Sequence, residues 1–200
     1  MTGASSPSVV LGSSSPRRLE LLRQVLVEPS SIVVPDVDES VSRNELPRQY
    51  VERMARSKLS AVQRKCPSAG YILAADTVVA CGRRILGKAE TDLEARACLQ
   101  LLSGRRHRVY GCVAVANAER IVSRVVITQV TMRRLAEADI DFYLASGEWQ
   151  GKAGGYAIQG LAAAFVVAIS GSYSNVVGLP LAETLQLLSG LGWVRNQVER

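Results

Sequence analysis

The run YILAADTVVA at residues 71–80 indicates more than any other stretch how this chain folds. Apolar and β-branched residues fill it, which is typical of a buried strand. Its one charged residue is Asp76, and an ionised carboxylate is costly to bury unless it is paired. Asp76 is therefore either a strand-end residue that meets solvent or an arginine, or a general base or metal ligand held on a rigid element.

Strands and helices are predicted on both sides of this run, in irregular order. Ser15 and Pro16 are typical of a helix start, because serine caps free N–H groups and proline at the first helical position loses no hydrogen bond. Leu19, Leu22 and Leu26 are spaced for the buried face of that helix. Further strands are predicted at residues 8–11, 32–35, 109–116, 121–132 and 161–169, and helices at residues 16–27, 45–64, 91–102, 135–145 and 180–188. Strict βαβ alternation is missing, so we expect an α/β or α+β domain with a largely mixed sheet.

The composition is that of an ordinary globular domain. The chain has 200 residues, of which 48% are hydrophobic and 21% charged, and this fits one packed domain. Its longest apolar run, residues 161–169, is far shorter than the roughly 20 residues of a membrane-spanning helix. The first residues lack the basic and apolar segments of a signal peptide. We therefore expect no membrane partner and a cytoplasmic protein.

Cysteine and histidine limit the metal chemistry. The four cysteines form no CxxC pair, which favours free thiols in a reducing compartment over disulfides or zinc. The one histidine, His107, lies in RRHR at residues 105–108. It either belongs to a nucleic-acid surface or marks the charged start of a strand. The lack of interleaved aromatic residues disfavours a stacking-based nucleic-acid module.

Positive charge is in excess. The formal net charge is +6, from 24 Lys and Arg against 18 Asp and Glu. Such a surface attracts nucleic acid, attracts a small polyanion such as a nucleotide, or only aids solubility, and composition does not separate the three.

The loop GSSSPRR at residues 12–18 has the features of an anion site. Small residues allow close approach of a phosphate, and the helix start offers free N–H groups. Arg17 and Arg18 oppose the helix dipole unless an anion joins them, and arginine binds phosphate with two N–H groups at once. The alternative is a solvated turn with both arginines on the surface.

A second loop, GKAGGYAIQG at residues 151–160, is rich in glycine. Its glycines favour a tight loop shaped around a ligand, and Gln159 carries the paired donor and acceptor that can read a base edge. The alternative is a flexible connection. Glu39, Lys58 and Lys88 lie elsewhere in the chain, and each alone is typical of a surface residue.

These pieces together resemble the Maf family of nucleoside triphosphate pyrophosphatases. Seven stretches match in family order and cover nearly the whole chain: LGSSSPRRLELL (11–22), VDES (37–40), YVERMARSKLSAV (50–62), ILAADTVV (72–79), LGKAETDLEARACLQLLSGRRHRVYG (86–111), GKAGGYAIQG (151–160) and SYSNVVGLPLAET (172–184). The version KAGGYAIQG looks like that of the branch that hydrolyses dTTP and UTP. The resemblance implies a Maf/ITPase-like α/β fold, an elongated mixed sheet flanked by helices, with the site in a cleft between two lobes.

The resemblance also implies roles for individual residues. Asp76 would be the proton acceptor that activates water, and Arg17, Thr77 and Gln159 would select the base. Further matches lie at family positions around the phosphates and the metal: Ser13, Arg18, Glu39, Lys58, Lys88 and Lys152. Glu39 and Asp76 would hold a divalent cation, Mg²⁺ or Mn²⁺.

The expected activity is hydrolysis of dTTP and UTP to the monophosphate and pyrophosphate, with water attacking the α-phosphate. One alternative is a non-catalytic nucleotide-binding regulator of cell division and septum formation, and another is a basic protein that binds RNA or DNA. We expect a nucleotide partner, no nucleic acid, and by resemblance alone a homodimer. Residues 1–8 are expected to form a flexible N-terminus, residues 9–190 one catalytic domain, and residues 191–200 a tail.

Overall fold

A computed structural model describes residues 8–194 and shows one seven-stranded mixed sheet. The strands are β1 Val9–Gly12, β2 Ser31–Ile32, β3 Tyr71–Cys81, β4 Arg84–Leu86, β5 Arg106–Ala116, β6 Ile121–Met132 and β7 Val166–Ser170. Their order is β2-β1-β3-β5-β6-β7, and β4 pairs with β3. The pairs β2–β1 and β1–β3 are parallel, and the others are antiparallel. The prediction of a mixed sheet is confirmed.

Six α-helices among the described residues pack against this sheet. They are α1 Pro16–Gln24, α2 Pro47–Lys65, α3 Asp92–Leu102, α4 Glu137–Ala145, α5 Tyr173–Val177 and α6 Leu181–Gly190. Local signals account for their starts. Proline occupies the first turn of α1, and at α3 Thr91 Oγ1 accepts from the Glu94 N–H while the Glu94 carboxylate accepts from the Thr91 N–H.

The side chains of β3 alternate between two hydrophobic clusters, one on each side of the sheet. Ile72, Ala74 and Val78 pack in the cluster that contains α2. Leu73 and Val79 pack in the other cluster, with residues of α1, α3, α4 and α6. Because strand residues alternate between faces, position 76 points toward α2 and position 77 toward the opposite side.

Two predicted strands differ from the observed elements. Residues 161–169 were expected as one strand, but Leu161–Phe165 forms a 3₁₀ helix before β7 begins at Val166. The Glu148 carboxylate accepts from the Leu161 N–H at 2.8 Å and so ties down the start of that turn. Of the strand predicted at residues 32–35, only Ile32 belongs to a strand, as the last residue of the two-residue β2.

The first helix is shorter than expected. It ends at Gln24, and Leu26 adopts a φ of 59° and is 58% exposed. Leu21 and Leu22 form its fully buried face, Leu19 is partly buried, and the inclusion of Leu26 in that face was wrong.

The expected terminal segments lie mostly outside the described residues. Of the proposed tail, Leu191 and Trp193 are buried in the core cluster that contains α1. The division into residues 1–8, 9–190 and 191–200 stays a prediction. No helix within residues 8–194 has the length and hydropathy to cross a membrane.

Candidate active site

A cleft of about 320 Å³ opens where the edge of β3 is unpaired. The parallel partner β1 ends at Gly12, opposite Ala74, and β4 begins to pair only at Val79. Between these points no described strand covers that edge, so side chains from both faces of β3 reach one cavity. All ten residues singled out in the sequence line it: Ser13, Arg17, Arg18, Glu39, Lys58, Asp76, Thr77, Lys88, Lys152 and Gln159.

Lys58 joins two carboxylates at the α2 side of the cleft. Its Nζ lies 2.6 Å from Asp76 Oδ1 and 2.7 Å from Glu39 Oε1. Lys88 Nζ lies 3.0 Å from the other oxygen of Glu39. Lys58 and Asp76 are 6% and 7% exposed, so the pair is largely removed from water. The first alternative for Asp76 was a strand-end residue that meets solvent or an arginine. Instead, Asp76 lies within β3, and its partner is a lysine.

The pKa of Glu39 shows which effect dominates there. Burial raises the pKa of this carboxyl, but hydrogen bonds from Lys58 and Lys88 outweigh burial and bring the pKa to about 2. Glu39 is therefore ionised at neutral pH, although it is partly removed from water.

The loop that carries Glu39 is fastened to α2 by two side chains. The Tyr50 hydroxyl donates to the Glu39 carbonyl at 2.9 Å, and Arg53 donates to the Ser40 carbonyl at 2.9 Å. Burial, with the nearby carboxylates of Asp76 and Glu39, raises the pKa of Tyr50 to about 12, so the phenol keeps its proton and remains a donor. Nothing in the local sequence pattern predicts this contact.

Arg18 forms a second centre on the other side of β3. Its guanidinium donates to Ser13 Oγ at 3.1 Å, to Thr77 Oγ1 at 3.4 Å and to the Gly178 carbonyl at 2.9 Å. Burial lowers the pKa of Arg18, Asp76 opposes this change, and Arg17 adds to it. Arginine stays protonated in proteins, so the lowered pKa reflects a cation with incomplete compensation. Gly178 was not predicted, because a backbone carbonyl carries no sequence signal of its own.

The glycine loop closes the third side of the cleft. Its backbone pairs with the segment that carries Lys88: Ala89 N donates to the Lys152 carbonyl at 3.2 Å, and Gly154 N to the Gly87 carbonyl at 3.0 Å. At Gly154 φ is +70°, and a Cβ would lie 2.9 Å from the Val79 side chain. Glycine is required there both by backbone conformation and by close packing.

Tyr156 anchors this loop to the sheet. Its hydroxyl lies 2.7 Å from His107 Nε2, and the two rings meet edge to face. His107 is the second residue of β5 and is 2% exposed, and burial lowers its pKa to about 4. His107 is thus an uncharged core residue at neutral pH, which agrees with the strand-start interpretation and not with a nucleic-acid surface.

The cleft is electrically unbalanced. Five cations line it, on Arg17, Arg18, Lys58, Lys88 and Lys152, against the two carboxylates of Glu39 and Asp76. Five positive charges minus two negative ones leave a net charge of +3 in the cleft. Burial lowers the pKa of Lys152, and the positive charge of neighbouring Arg17 lowers it further. The charge of Lys152, like that of Arg18, is therefore incompletely compensated by carboxylates. A polyanion in the cleft would remove this imbalance.

The pattern of residues is that of a known family. The model of the Maf family, described as Maf-like protein, matches residues 8–191. The chain belongs to the Maf family. Maf-family relatives are close in sequence: a dTTP/UTP pyrophosphatase of Paramagnetospirillum magneticum is 56% identical over 92% of this chain and 97% of that protein. A dTTP/UTP pyrophosphatase of Caulobacter vibrioides is 52% identical over 95% and 98%.

A solved structure supports the fold of this Maf-family chain. A HAM1 protein from Coxiella burnetii superposes with a TM-score of 0.50 at 17% identity, over 92% of this chain and 99% of that one. At this identity the likeness concerns the fold alone, and it agrees with the expected α/β architecture.

Proposed function

We propose that this Maf-family chain hydrolyses dTTP and UTP to the monophosphate and pyrophosphate. The observation that carries the proposal is the cleft itself, where the paired carboxylates of Glu39 and Asp76 face a surplus of lysine and arginine. Relatives that match nearly the whole chain are dTTP/UTP pyrophosphatases. A nucleoside triphosphate carries about four negative charges, which suits a cleft of net positive charge.

Asp76 is the proposed general base. It takes a proton from water as the water oxygen bonds to the α-phosphorus, and the bond from that phosphorus to the bridging oxygen of the leaving pyrophosphate breaks. A base for this step must be held rigidly, and Asp76 lies within a buried strand with Lys58 on Oδ1. Lys58 and Lys88 offset the charge that develops on the transferred and leaving phosphates.

Glu39 and Asp76 would also hold the proposed divalent cation, Mg²⁺ or Mn²⁺. Their donor set fits a hard cation, because one oxygen of each carboxylate converges on the same positive charge, Lys58 Nζ, at 2.7 and 2.6 Å. The described residues contain no group of three or more His, Cys, Asp or Glu that could hold a metal. Magnesium commonly uses one or two carboxylates and completes its shell with phosphates and water. Such an ion neutralises charge on the phosphates.

The remaining cleft residues bind and select the substrate. Ser13, Arg18 and Lys152 contact the phosphates in this proposal, and Arg17, Thr77 and Gln159 select the base. Two donors and an acceptor on the Gln159 amide match the alternating groups on the edge of a pyrimidine.

The proposal extends to location and assembly. The four cysteines are free thiols in the structure, which is consistent with the proposed cytoplasmic location. The homodimer remains a proposal from resemblance, and light scattering on the purified protein tests it directly.

The decisive experiment is pyrophosphate release from dTTP, UTP, CTP, dITP, GTP and 7-methyl-GTP, each with Mg²⁺ and with EDTA. We expect metal-dependent release from dTTP and UTP. Activity mainly on a purine nucleotide would contradict the substrate assignment, while the assignment as a nucleoside triphosphate pyrophosphatase would stand. Nucleotide binding without any release would instead favour a regulator. Salt-sensitive binding of RNA or DNA that free nucleotides do not compete with would favour a nucleic-acid protein.

The role of Asp76 is tested by Asp76→Asn. A general base contributes about 10²- to 10⁴-fold to rate, so kcat should fall by that factor while nucleotide binding persists. Asp139→Asn is the control, because it removes a carboxylate that is paired with Arg133 and does not line the cleft. Turnover near that of the parent protein would refute the assignment.

A further inference from the structure

We propose that Asn175 is a positioning residue for phosphate binding, which acts through the short helix α5 and the Gly178 carbonyl on Arg18. The inference rests on the proposed function and adds a residue that does not line the cleft. It depends on how Asn175 is seated on the sheet and on what α5 carries at its end.

Asn175 is fully buried against the backbone of two strands. Its Nδ2 lies 3.3 Å from the Val109 carbonyl on β5 and 3.4 Å from the Val126 carbonyl on β6. It also donates to Thr128 Oγ1 at 3.0 Å, and this oxygen accepts from the Ser172 N–H at 3.2 Å. The amide therefore fastens α5 to strand backbone, which is the most rigid part of the fold.

Gly111 makes this seat possible. A Cβ at position 111 would lie 1.8 Å from Asn175 Oδ1, a distance that no side chain there can tolerate. In the sheet Gly111 is the direct partner of Thr77 on β3. The Asn175 amide thus rests on the sheet beside the residue whose hydroxyl lines the cleft.

Asn175 is an unfavourable choice for stability alone. Its Oδ1 is buried without a hydrogen-bond partner, and leaving a buried acceptor unpaired is costly. Such groups in native proteins call for a specific explanation. The one that the geometry offers is the placement of α5.

The five-residue helix α5 delivers a carbonyl to the cleft. It begins after Ser172, whose hydroxyl accepts from the Asn175 N–H, and ends at Val177, directly before Gly178, whose φ is 145°. The Gly178 carbonyl accepts from Arg18 Nε at 2.9 Å and from Thr77 Oγ1 at 3.2 Å. Because so short a helix has little stability of its own, its position depends on its anchors. Asn175 is the buried polar anchor, and Val177 packs in the core beside it.

This arrangement separates two parts of the site. Arg18 and Thr77 depend on α5, whereas Lys58, Glu39 and Asp76 interact with one another on the α2 side. Loss of the Asn175 seat should therefore weaken phosphate binding much more than it slows the chemical step. A purely structural role would lower thermal stability and leave KM unchanged.

The test compares Asn175→Ala and Thr128→Val with Tyr71→Phe. Thr128→Val removes the hydroxyl that holds both Asn175 and Ser172 and is the milder change, which keeps the test open if Asn175→Ala does not fold. Tyr71→Phe removes one buried hydrogen bond, to the Leu191 carbonyl, at a residue that does not line the cleft. The measurements are kcat and KM for dTTP, inorganic pyrophosphate binding by calorimetry, and melting temperature.

We expect KM for dTTP and Kd for pyrophosphate to rise about tenfold in the two α5 variants, with kcat within about threefold of the parent, on the scale of losing one charge-assisted contact. Tyr71→Phe should shift only the melting temperature. Gly111→Ala should raise KM as well, and it should add nothing in the Asn175→Ala background, where the clashing oxygen is gone. Unchanged KM in cooperatively folded α5 variants would overturn the inference. An inactive parent protein would instead refute the proposed function.

Discussion

At the scale of single residues, Lys58 is the charge on which the site depends. It lies within 2.7 Å of two carboxylates and is 6% exposed. Removing one member of a buried ion pair leaves an uncompensated charge, which costs far more than loss of a surface pair. Lys58 thus contributes both to stability and to the proposed chemistry. Substitutions can distinguish the two contributions.

We predict that Lys58→Met lowers the free energy of unfolding by about 3–5 kcal/mol, because Asp76 and Glu39 then lose their shared cation. Turnover should be lost as well. Adding Asp76→Asn to Lys58→Met should restore much of the stability and none of the turnover. Urea denaturation measures the stability, and Arg96→Met, which breaks an exposed ion-pair group, should cost far less than Lys58→Met. A Lys58→Met protein as stable as its parent would contradict the reasoning.

Gln159 offers a second prediction at this scale. Gln159→Glu keeps the shape and acceptor of the side chain and removes both N–H donors. If the amide reads the pyrimidine edge, KM for dTTP and UTP should rise at least about tenfold, which corresponds to one lost base contact. Gln150→Glu, in the same part of the chain and not lining the cleft, is the control and should change neither value. Equal KM values in both variants would exclude Gln159 from base selection.

The sequence could indicate some of these residues and not others. Arg17 and Arg18 stand beside small residues at a helix start, a pattern that local physics connects with an anion. Glu39, Lys58 and Lys88 have no such local signal, because their meaning arises only when a loop, a helix and a second loop converge. The family resemblance supplied them, and the structure brings them to one cleft. Their roles remain predictions.

At the scale of elements, loops carry the site and side chains outside it fasten them. Tyr50 and Arg53 hold the loop of Glu39 to α2, and Tyr156 holds the glycine loop to His107 on β5. Each fastening group belongs to a helix or strand, or contacts one. The precision of the site therefore depends on contacts beyond the groups that would touch substrate.

Tyr50→Phe tests this dependence. The change keeps the ring and removes the hydrogen bond to the Glu39 carbonyl, so the Glu39 loop should lose its position. We predict a severalfold loss of kcat/KM together with a stability loss of about 1 kcal/mol. Tyr110→Phe, in the same core cluster, is the control and should leave kcat/KM unchanged. If both variants have the activity of the parent, the hydroxyl of Tyr50 does not position Glu39.

Element predictions from sequence failed where periodicity was short or ambiguous. Residues 161–169 are all apolar, and such a run does not distinguish a strand from a helical turn. The Glu148 contact that ties the turn at Leu161 lies 13 residues away in the chain and leaves no local trace. Helix α5 has five residues, too few for a helical repeat, and it was missed for that reason. In contrast, the helices predicted at residues 45–64 and 91–102 lie close to the observed bounds of α2 and α3.

At the scale of the whole molecule, the site exists because the sheet is mixed. Parallel pairing of β1 with β3 stops at Gly12, and antiparallel pairing of β3 with β4 starts at Val79. The unpaired edge of β3 lies between these two pairings, each of which joins β3 to another strand. The sequence predicts individual strands but not which edge of β3 stays unpaired. The alternating faces of β3 then expose Asp76 and Thr77 to the same cleft from opposite sides of the sheet.

The two-sided core also determines how the fold responds to acid. Burial lowers the pKa of His107 from 6.5 to about 4, so the folded protein keeps this ring neutral while the unfolded chain protonates it below pH 6.5. The free energy of unfolding therefore decreases progressively as pH falls from 6.5 toward 4. Above pH 6.5 both states hold a neutral ring, and this loss of stability is absent. At 1.36 kcal/mol per pKa unit the loss is about 3 kcal/mol. Glu39 and Asp139 have pKa values lowered to about 2, so their stabilisation is lost at lower pH, as pH falls toward 2 from 4.5 for Glu39 and from 3.8 for Asp139.

Substitutions can distinguish the pH range in which His107 titrates from the lower range in which Glu39 and Asp139 titrate. His107→Gln removes the titrating ring, and its free energy of unfolding, measured by urea denaturation at a series of pH values, should be flat between pH 6.5 and 4.5 where that of the parent falls. Asp139→Asn should keep the decline in that range and reduce only the decline below it. Within residues 8–194, Tyr156 is the one hydrogen-bond partner of His107 Nε2, and Nδ1 is buried without a partner, so no carboxylate there favours the charged ring. An equal decline in the parent and His107→Gln would mean that groups on the surface, and not this buried ring, determine stability in mild acid.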